Sequence, residues 1–582
     1  MSASATRAPY ARERARQVAH RLPWLVDLYR FGRKPNWELP LWRDLVETRR
    51  ATSFMRDRRA DPGPDARGAV VALYRDDLFD AKLGMLLASA LALEGLHPVV
   101  YAPTKRARRV ARYSSAFGIS DVVFADELEL DPETARSIDE RAAQLLAGPC
   151  DFASVKAWRS GDYQVGNHVL STVIRLTFDG SPDLSVDGNR ALLTSVVHDV
   201  LTNYARAEEL LDRTKAAAVL VEEANYSVNG PLVDVAVARG IDVVQTIAIW
   251  RDDALMSKRL TAENRREDAK SVSTVTYARL LEQPWTPEDE RALDLDFERR
   301  YRRMWDFGRR FQPDIATVLG DDEIIEEVGL DRTKPTAVIF AHVLWDASLF
   351  FGVDLFANYS EWLVESVRRA IGNDRLNWVV KTHPSNVFRA AHGDVAECSE
   401  LTLLKQSFTD LPPHVFVLRP DTRIATNALY RFADFGITVR GTPGLEMACY
   451  GKTVLTAGTG AYAGLGFTLD STSRDQYLDR FDALEATPPP NAGAVERARR
   501  YAHALFVRRP WVSESFEMRF QFSDHGWNPL DRNLRLRVDD VDQFRAAPDL
   551  APWRTWVTRS RDPDFFGPAN AATRPTNAPT PT

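Results

Sequence analysis

Two short segments in the C-terminal half carry side chains suited to holding a phosphate and neutralising its charge. In Val379-Val-Lys-Thr-His-Pro-Ser-Asn386 an apolar strand runs into polar residues. Strand alternation puts Lys381 and His383 on one face and Thr382 on the other, and Pro384 ends the strand. A cation and an imidazole at the carboxyl edge of a sheet can stabilise the charge of a departing phosphate. The second segment, Arg440-Gly-Thr-Pro-Gly-Leu-Glu446, follows the alternating strand Phe435 to Val439 and opens a helix that stops at Gly451. Thr442 is expected as N-cap and Pro443 as the first helical residue. Gly441, Thr442 and Gly444 would then turn backbone amides toward an anion. Arg440 would sit at the mouth, and Glu446, one turn inside, could meet ribose hydroxyls.

A glycine-rich loop, Gly458 to Thr468, follows the next strand. Its glycines allow close backbone approach, and Tyr462 and Thr468 could touch sugar or phosphate. Candidate general bases come from acidic loops after strands of the N-terminal half: Asp76, Asp77 and Asp80 after the first, Glu222 and Glu223 after a later one. Asp346, in Trp345-Asp-Ala-Ser348, could orient His383 or bind donor. The pairs Asp294/Asp296 and Asp540/Asp542 match a metal-binding Asp-x-Asp pattern but stand in charged, helical surroundings and read as surface. No His/Cys cluster suggests a metal site.

These residues need a framework, and the strand–helix rhythm supplies one. Residues 1–65 read as a helical arm ending in Asp61-Pro-Gly-Pro-Asp65. Residues 66–311 read as a doubly wound domain with strands near 68–74, 97–101, 121–124, 216–221 and 241–247 and a helical insertion near 130–215. Residues 312–334 read as a link, and 335–490 as a second doubly wound domain. Residues 491–566 form an extension that folds back on the first domain, and 567–582 a low-complexity tail. The expected class is α/β, with two Rossmann-like domains facing a cleft that holds the ligand.

Bulk properties agree with such a globular enzyme. The chain has 582 residues, 45% of them hydrophobic and 27% charged, and a net charge of -6 that gives no reason to expect nucleic acid. Three widely spaced cysteines fit a reducing cytoplasm. No stretch is apolar enough to span a membrane. Segment 7–31 pairs Arg7, Arg12, Arg14, Arg16 and Arg21 with a following Trp/Leu/Tyr cluster. It is expected either to rest peripherally on an anionic membrane surface or to pack on its own domain.

Taken together, Trp345-Asp-Ala, Lys381-Thr-His-Pro384, Gly441 to Lys452 and Gly458 to Thr468 resemble the capsule polysaccharide biosynthesis family, which includes Kdo transferases of GT-B fold. Tyr163-Gln-Val-Gly166 and Glu223-Ala-Asn-Tyr226 resemble it more weakly. The resemblance implies a metal-independent glycosyltransferase without a cofactor, taking a nucleotide-sugar donor such as a CMP-activated acidic sugar. The acceptor it implies is a polysaccharide or glycolipid. It also implies that His383, Pro384, Thr442 and Gly444 hold the nucleotide phosphate and Glu446 the ribose. Glu223 stands where a more characteristic Glu-His-Gly run belongs. The rival readings are a sugar-nucleotide epimerase or hydrolase, a polyol-phosphate transferase, and a non-catalytic assembly or export scaffold.

Overall fold

A computed structural model describes residues 35–56, 66–74, 77–104, 108–301, 318–346, 348–387, 398–520 and 530–567. The basic segment 7–31, Asp76 and the tail therefore lie outside the described residues.

The chain builds two sheets. The first contains β1 (Gly68–Ala72), β2 (His97–Ala102), β3 (Asp121–Phe124), β4 (Ala216–Val221), β5 (Asp242–Ala248) and β6 (Ala254–Leu260). The second contains β7 (Thr336–Phe340), β8 (Asn377–Lys381), β9 (Val415–Leu418), β10 (Phe435–Thr438), β11 (Thr453–Thr456) and β12 (Leu469–Asp470). The first sheet takes one further strand, β13 (Trp511–Val512), from the end of the chain, and its order is β13-β6-β5-β4-β1-β2-β3. The second has order β12-β11-β10-β7-β8-β9, parallel throughout. Both contain the crossover order 3-2-1-4-5 of a doubly wound fold, so each has one point where neighbouring connections run to opposite sides. In the first sheet that point lies between β1 and β4; in the second, between β7 and β10. Two such domains facing a cleft make a GT-B-like arrangement.

The strands owe their form to burial on both faces. All residues of β1, β7, β8, β10 and β11 are buried, and β1 and β7 accordingly read as near-continuous apolar runs without alternation. Helix Leu78–Ala92 starts where Asp77 caps the amides of Phe79 and Asp80.

Strand β6 has no counterpart among the strands expected from sequence. Its buried Lys258 and Arg259 break the apolar pattern. Lys258 pairs with Glu267 at 2.8 Å, and Arg259 donates to the carbonyls of Trp556 and Val557. Both partners lie outside the strand, so only the tertiary fold makes these charges tolerable there. Asp296 differs from its surface assignment in the same way: it is buried, whereas Asp294 pairs with Arg499 at the surface.

Past the second sheet, helix Ala492–His503 packs beside helix Thr442–Cys449, and the chain then returns to the first domain. There β13 pairs antiparallel with β6. A hairpin of β14 (Phe516–Phe520) and β15 (Arg532–Leu536) covers helix Leu78–Ala92, whose buried Lys82 donates to Asn533 at 2.9 Å. Trp553 stacks on Trp511 with ring centroids 5.8 Å apart.

Two loops tie the domains together. The loop after β7 crosses the cleft, and its Trp345 and Leu349 are buried in the core of the first domain. In the other direction, Asp268 donates its amide to Gly460 at 2.9 Å, and Arg266 accepts from Gly352. Among the described residues no helix is long and apolar enough to cross a membrane.

Candidate active site

A cavity of about 590 Å³ opens between the domains, at the switch point of the second sheet and beyond the ends of β4 and β5 of the first. Its second-domain wall carries Lys381, His383, Pro384, Arg440, Gly441, Thr442, Glu446 and Tyr462; its first-domain wall carries Glu223. Asp346, on the crossing loop, also lines it. The two C-terminal segments singled out from the sequence thus meet in one chamber, which a first-domain carboxylate also lines.

The strand-end pair is held from behind. Fully buried Glu400 accepts from the amide of His383 at 3.1 Å and from Asn386 Nδ2 at 2.9 Å. Ser385 donates its amide to Nδ1 of His383 at 3.2 Å. With Nδ1 accepting, the proton of the neutral ring sits on Nε2. Burial, reinforced by Lys381 and Lys270, pulls His383 down to about 4. At neutral pH it is therefore an uncharged N–H donor and not an acid. Lys381 lies buried with Nζ 2.9 Å from the carbonyl of Thr382. Burial lowers it to about 8, while Glu400 opposes the shift. It thus retains most of its charge near pH 7.

The turn after β10 offers fewer bare amides than its sequence promises. Gly441, not Thr442, is the N-cap, and its amide donates to Thr438 Oγ1 at 3.1 Å. The Gly444 amide is used on the Gly441 carbonyl. Tyr462 Oη also donates to that carbonyl, at 2.6 Å, and so lies across the helix start. Gly444 does not line the cavity. A Cβ there would fall 2.3 Å from Tyr462 Oη and 2.9 Å from Thr438, so the glycine is required by packing.

Arg440 is not an open mouth residue. It is buried, ion-paired to Asp354 and 3.4 Å from Tyr359 Oη. Glu446 is also committed: it pairs with Arg300 at 3.0 Å and accepts from Tyr301 Oη at 2.8 Å. Thr468 lies outside the cavity and donates to Asp470 at 2.6 Å, bracing β12. Asp80 also lies away from the cavity. Arg532 from the C-terminal hairpin binds it at 3.0 Å and Asp77 at 3.3 Å, which corrects its placement among the cleft-facing bases.

Glu223 has the electrostatics of a base. Burial, then the charge of Glu222, and later that of Asp346, push its carboxyl up to about 7; the amides of Asn225 and Ala224 oppose the shift. Its Oε1 accepts from Ala224 at 2.8 Å and Asn225 at 2.9 Å. A carboxyl titrating near neutrality can accept a proton and release it at the same pH.

Several residues that the sequence reading passed over join the chamber. His342 lines it, its Nε2 accepting from the Val439 amide at 3.2 Å and its ring stacked on Tyr359. Burial and Arg440 hold it well below its ordinary value. Its place directly after β7, in His342-Val-Leu-Trp345, was the signal available. Arg175 lines the first-domain side, lying over Trp345 at 4.8 Å. Nothing in a helical stretch of mixed composition distinguishes it.

No family model matches the chain, and no curated protein matches it. Among solved structures it is similar to the KpsC beta Kdo 2,7 transferase of Thermosulfurimonas dismutans, with 18% identity over 56% of this chain and 86% of that one, TM-score 0.31. It is also similar to the UDP-GlcNAc 2-epimerase of Neisseria meningitidis, with 11% identity over 75% of this chain and 96% of that one, TM-score 0.24. A third likeness is to the glycosyltransferase VinC, with 12% identity over 76% of this chain and 95% of that one, TM-score 0.22.

Proposed function

We propose that the chain is a glycosyltransferase that moves a sugar from a nucleotide-sugar donor to a hydroxyl of a polysaccharide or glycolipid. One observation carries this reading: Glu223, from the first domain, lines the same cavity as Lys381, His383 and the Thr442 turn of the second. A transferase needs this polarity, with a base at the acceptor end and positive or donor groups at the leaving group.

In this reading the donor phosphate sits on the second-domain wall. Lys381 supplies charge and the Nε2–H of His383 a neutral hydrogen bond. The helix N-terminus beside Tyr462 adds its dipole, a favourable end for an anion. Arg440, already paired with Asp354, fixes Tyr359 and the turn, and its share of the phosphate charge is small. The acceptor hydroxyl reaches Glu223, which takes its proton as the bond to the anomeric carbon forms. The leaving-group charge is met by groups of the chain itself, and the donor is substrate, so no cofactor enters the scheme. The resemblance noted above favours a CMP-activated acidic sugar. The reaction belongs on the cytoplasmic side, where such donors are made.

The test is a thermal-shift screen with CMP, CDP, UDP, GDP and their sugars, run on the parent and on His383→Ala. Turnover of the stabilising donor is then assayed with and without glycan acceptor. One nucleotide is expected to stabilise the parent, to lose most of its effect in the variant, and to be released only when acceptor is present. Equal stabilisation of both proteins would remove the assigned site; acceptor-independent conversion of the donor would replace transfer by epimerisation or hydrolysis.

A further inference from the structure

The loop that carries Glu223 is gripped by a buried charged cluster with no part in the chemistry above. Fully buried His168, on helix Val165–Thr177, lies between two acceptors: Nδ1 is 3.1 Å from the Asn225 carbonyl, and Nε2 is 2.8 Å from Asp234. Tyr204 Oη also donates to Asp234, at 3.0 Å. Arg265 binds three groups at once: Asp234 through Nε at 2.9 Å, Asn225 Oδ1 through Nη1 at 3.0 Å, and the Ala224 carbonyl through Nη2 at 2.8 Å. The amides of those two residues hold the Glu223 carboxylate. Every polar group of the 224–225 backbone is thereby committed, either to the base or to the cluster.

The cluster also touches the opposite domain. Phe350, on the crossing loop that bears Asp346, lies 4.6 Å from the Arg265 guanidinium and 4.6 Å from the His168 ring. Phe350 is itself buried. Its environment suits an aromatic: a cation over the ring face and an imidazole beside it. Gly230 makes room for the arrangement, since a Cβ there would fall 2.2 Å from the His168 ring.

We propose that His168, Asp234 and Arg265 are positioning residues for Glu223, and that Phe350 couples them to the seating of the Asp346 loop across the cleft. The domain contact and the placing of the base are then one event. When the crossing loop leaves, Arg265 loses its aromatic cover, and the 224–225 amides that fix the carboxylate loosen with it. The inference rests on the reading of Glu223 as base for its consequence in catalysis. The physical coupling is measurable without turnover.

Hydrogen exchange and kinetics on Phe350→Leu, Arg265→Lys and the double variant separate the two. In both single variants the amides of segment 222–226 are expected to exchange at least tenfold faster, with strands of the second sheet unchanged. Given transfer activity, kcat is expected to fall about tenfold with donor KM within twofold. The double variant should be no worse than the poorer single one, because the two act through one contact. Unchanged exchange in 222–226 after Phe350→Leu would overturn the coupling, whether or not the chain transfers sugar. Faster exchange with multiplicative kinetic losses would also overturn it. Faster exchange in the variants, together with a parent inactive with every donor, would leave the coupling standing and remove the catalytic reading. Arg265→Lys, which keeps the charge and loses the three-way fork, guards against a variant that simply fails to fold.

Discussion

The backbone amide of Ser385 donates to Nδ1 of His383 at 3.2 Å, and that bond decides which edge of the imidazole can act. A ring so held carries its proton on Nε2, and the residue lines the cavity. Its burial beside Lys381 keeps it uncharged at neutral pH, at about 4.

Replacing His383 therefore removes a neutral donor and not a proton source. His383→Ala is expected to weaken nucleotide binding by about 1.5 to 3 kcal/mol, the range for a hydrogen bond to a charged group. His383→Gln, which can place an N–H near the same point, should recover part of it. Calorimetric titration checks both. The pH profile of kcat/KM should contain no limb near 6.5 that disappears in His383→Gln.

The base predicts a different profile. With Glu223 titrating at about 7 and Lys381 at about 8, kcat/KM should rise with pH through the first value and fall again through the second, as the phosphate-binding charge is lost. Asp346→Asn removes one of the charges that raise Glu223 and should move the limb to lower pH. The same shift acts on folding. An ordinary glutamyl group in the unfolded chain titrates near 4.3, so the native state holds the proton more tightly between roughly 4.3 and 7. That contribution to stability is complete below the lower value and is lost as pH rises through the upper one. Glu223→Gln should flatten this part of a stability-against-pH curve measured by urea unfolding.

The buried pair of Arg300 and Glu446 should be costly to break from one side. Arg300→Met leaves the Glu446 carboxylate, 2% exposed, with only the Tyr301 hydroxyl among the partners described above. A loss of about 3 to 5 kcal/mol is expected, read as a lowered denaturant midpoint. Glu446→Gln strands the less buried arginine, packed 4.0 Å over Phe506, and should cost less. The opposite ranking would mean that the pair does not hold helix Thr442–Cys449.

Gly444→Ala tests whether the glycine serves packing. Its Cβ would meet Tyr462 Oη, so Tyr462 must withdraw from the Gly441 carbonyl. Overpacking of this kind costs about 1 to 3 kcal/mol. Nucleotide stabilisation should fall along with thermal stability. Gly444→Ala combined with Tyr462→Phe, which removes the clashing oxygen, should regain part of the stability.

Much of the two-domain frame could be read from local pattern. The strands over 121–124 and 216–221 emerge where apolar runs and flanking breakers place them. Lys381 and His383 reach the cavity because strand alternation and a terminal proline are local facts. The features that escaped depend on partners far along the chain. Arg300 binds Glu446 across 146 positions, and Arg532 binds Asp80 across 452. No window of sequence contains both members of either pair. Asp80 therefore resembled a cleft base until the C-terminal hairpin claimed it. Gly444 resembled part of an anion turn until Tyr462 accounted for its missing side chain.

The return of the chain to its first sheet has a temporal consequence. A ribosome delivers all of β7 to β12 before it delivers Trp511, Trp553 and the hairpin that cover Lys82 and β6. The later-made domain can finish its core first, while the earlier one waits with Lys82 uncovered and a sheet edge unpaired. That edge is available to any neighbouring strand until residues 511–512 arrive. A nascent chain stalled shortly before that point would carry a complete second domain and an aggregation-prone first one.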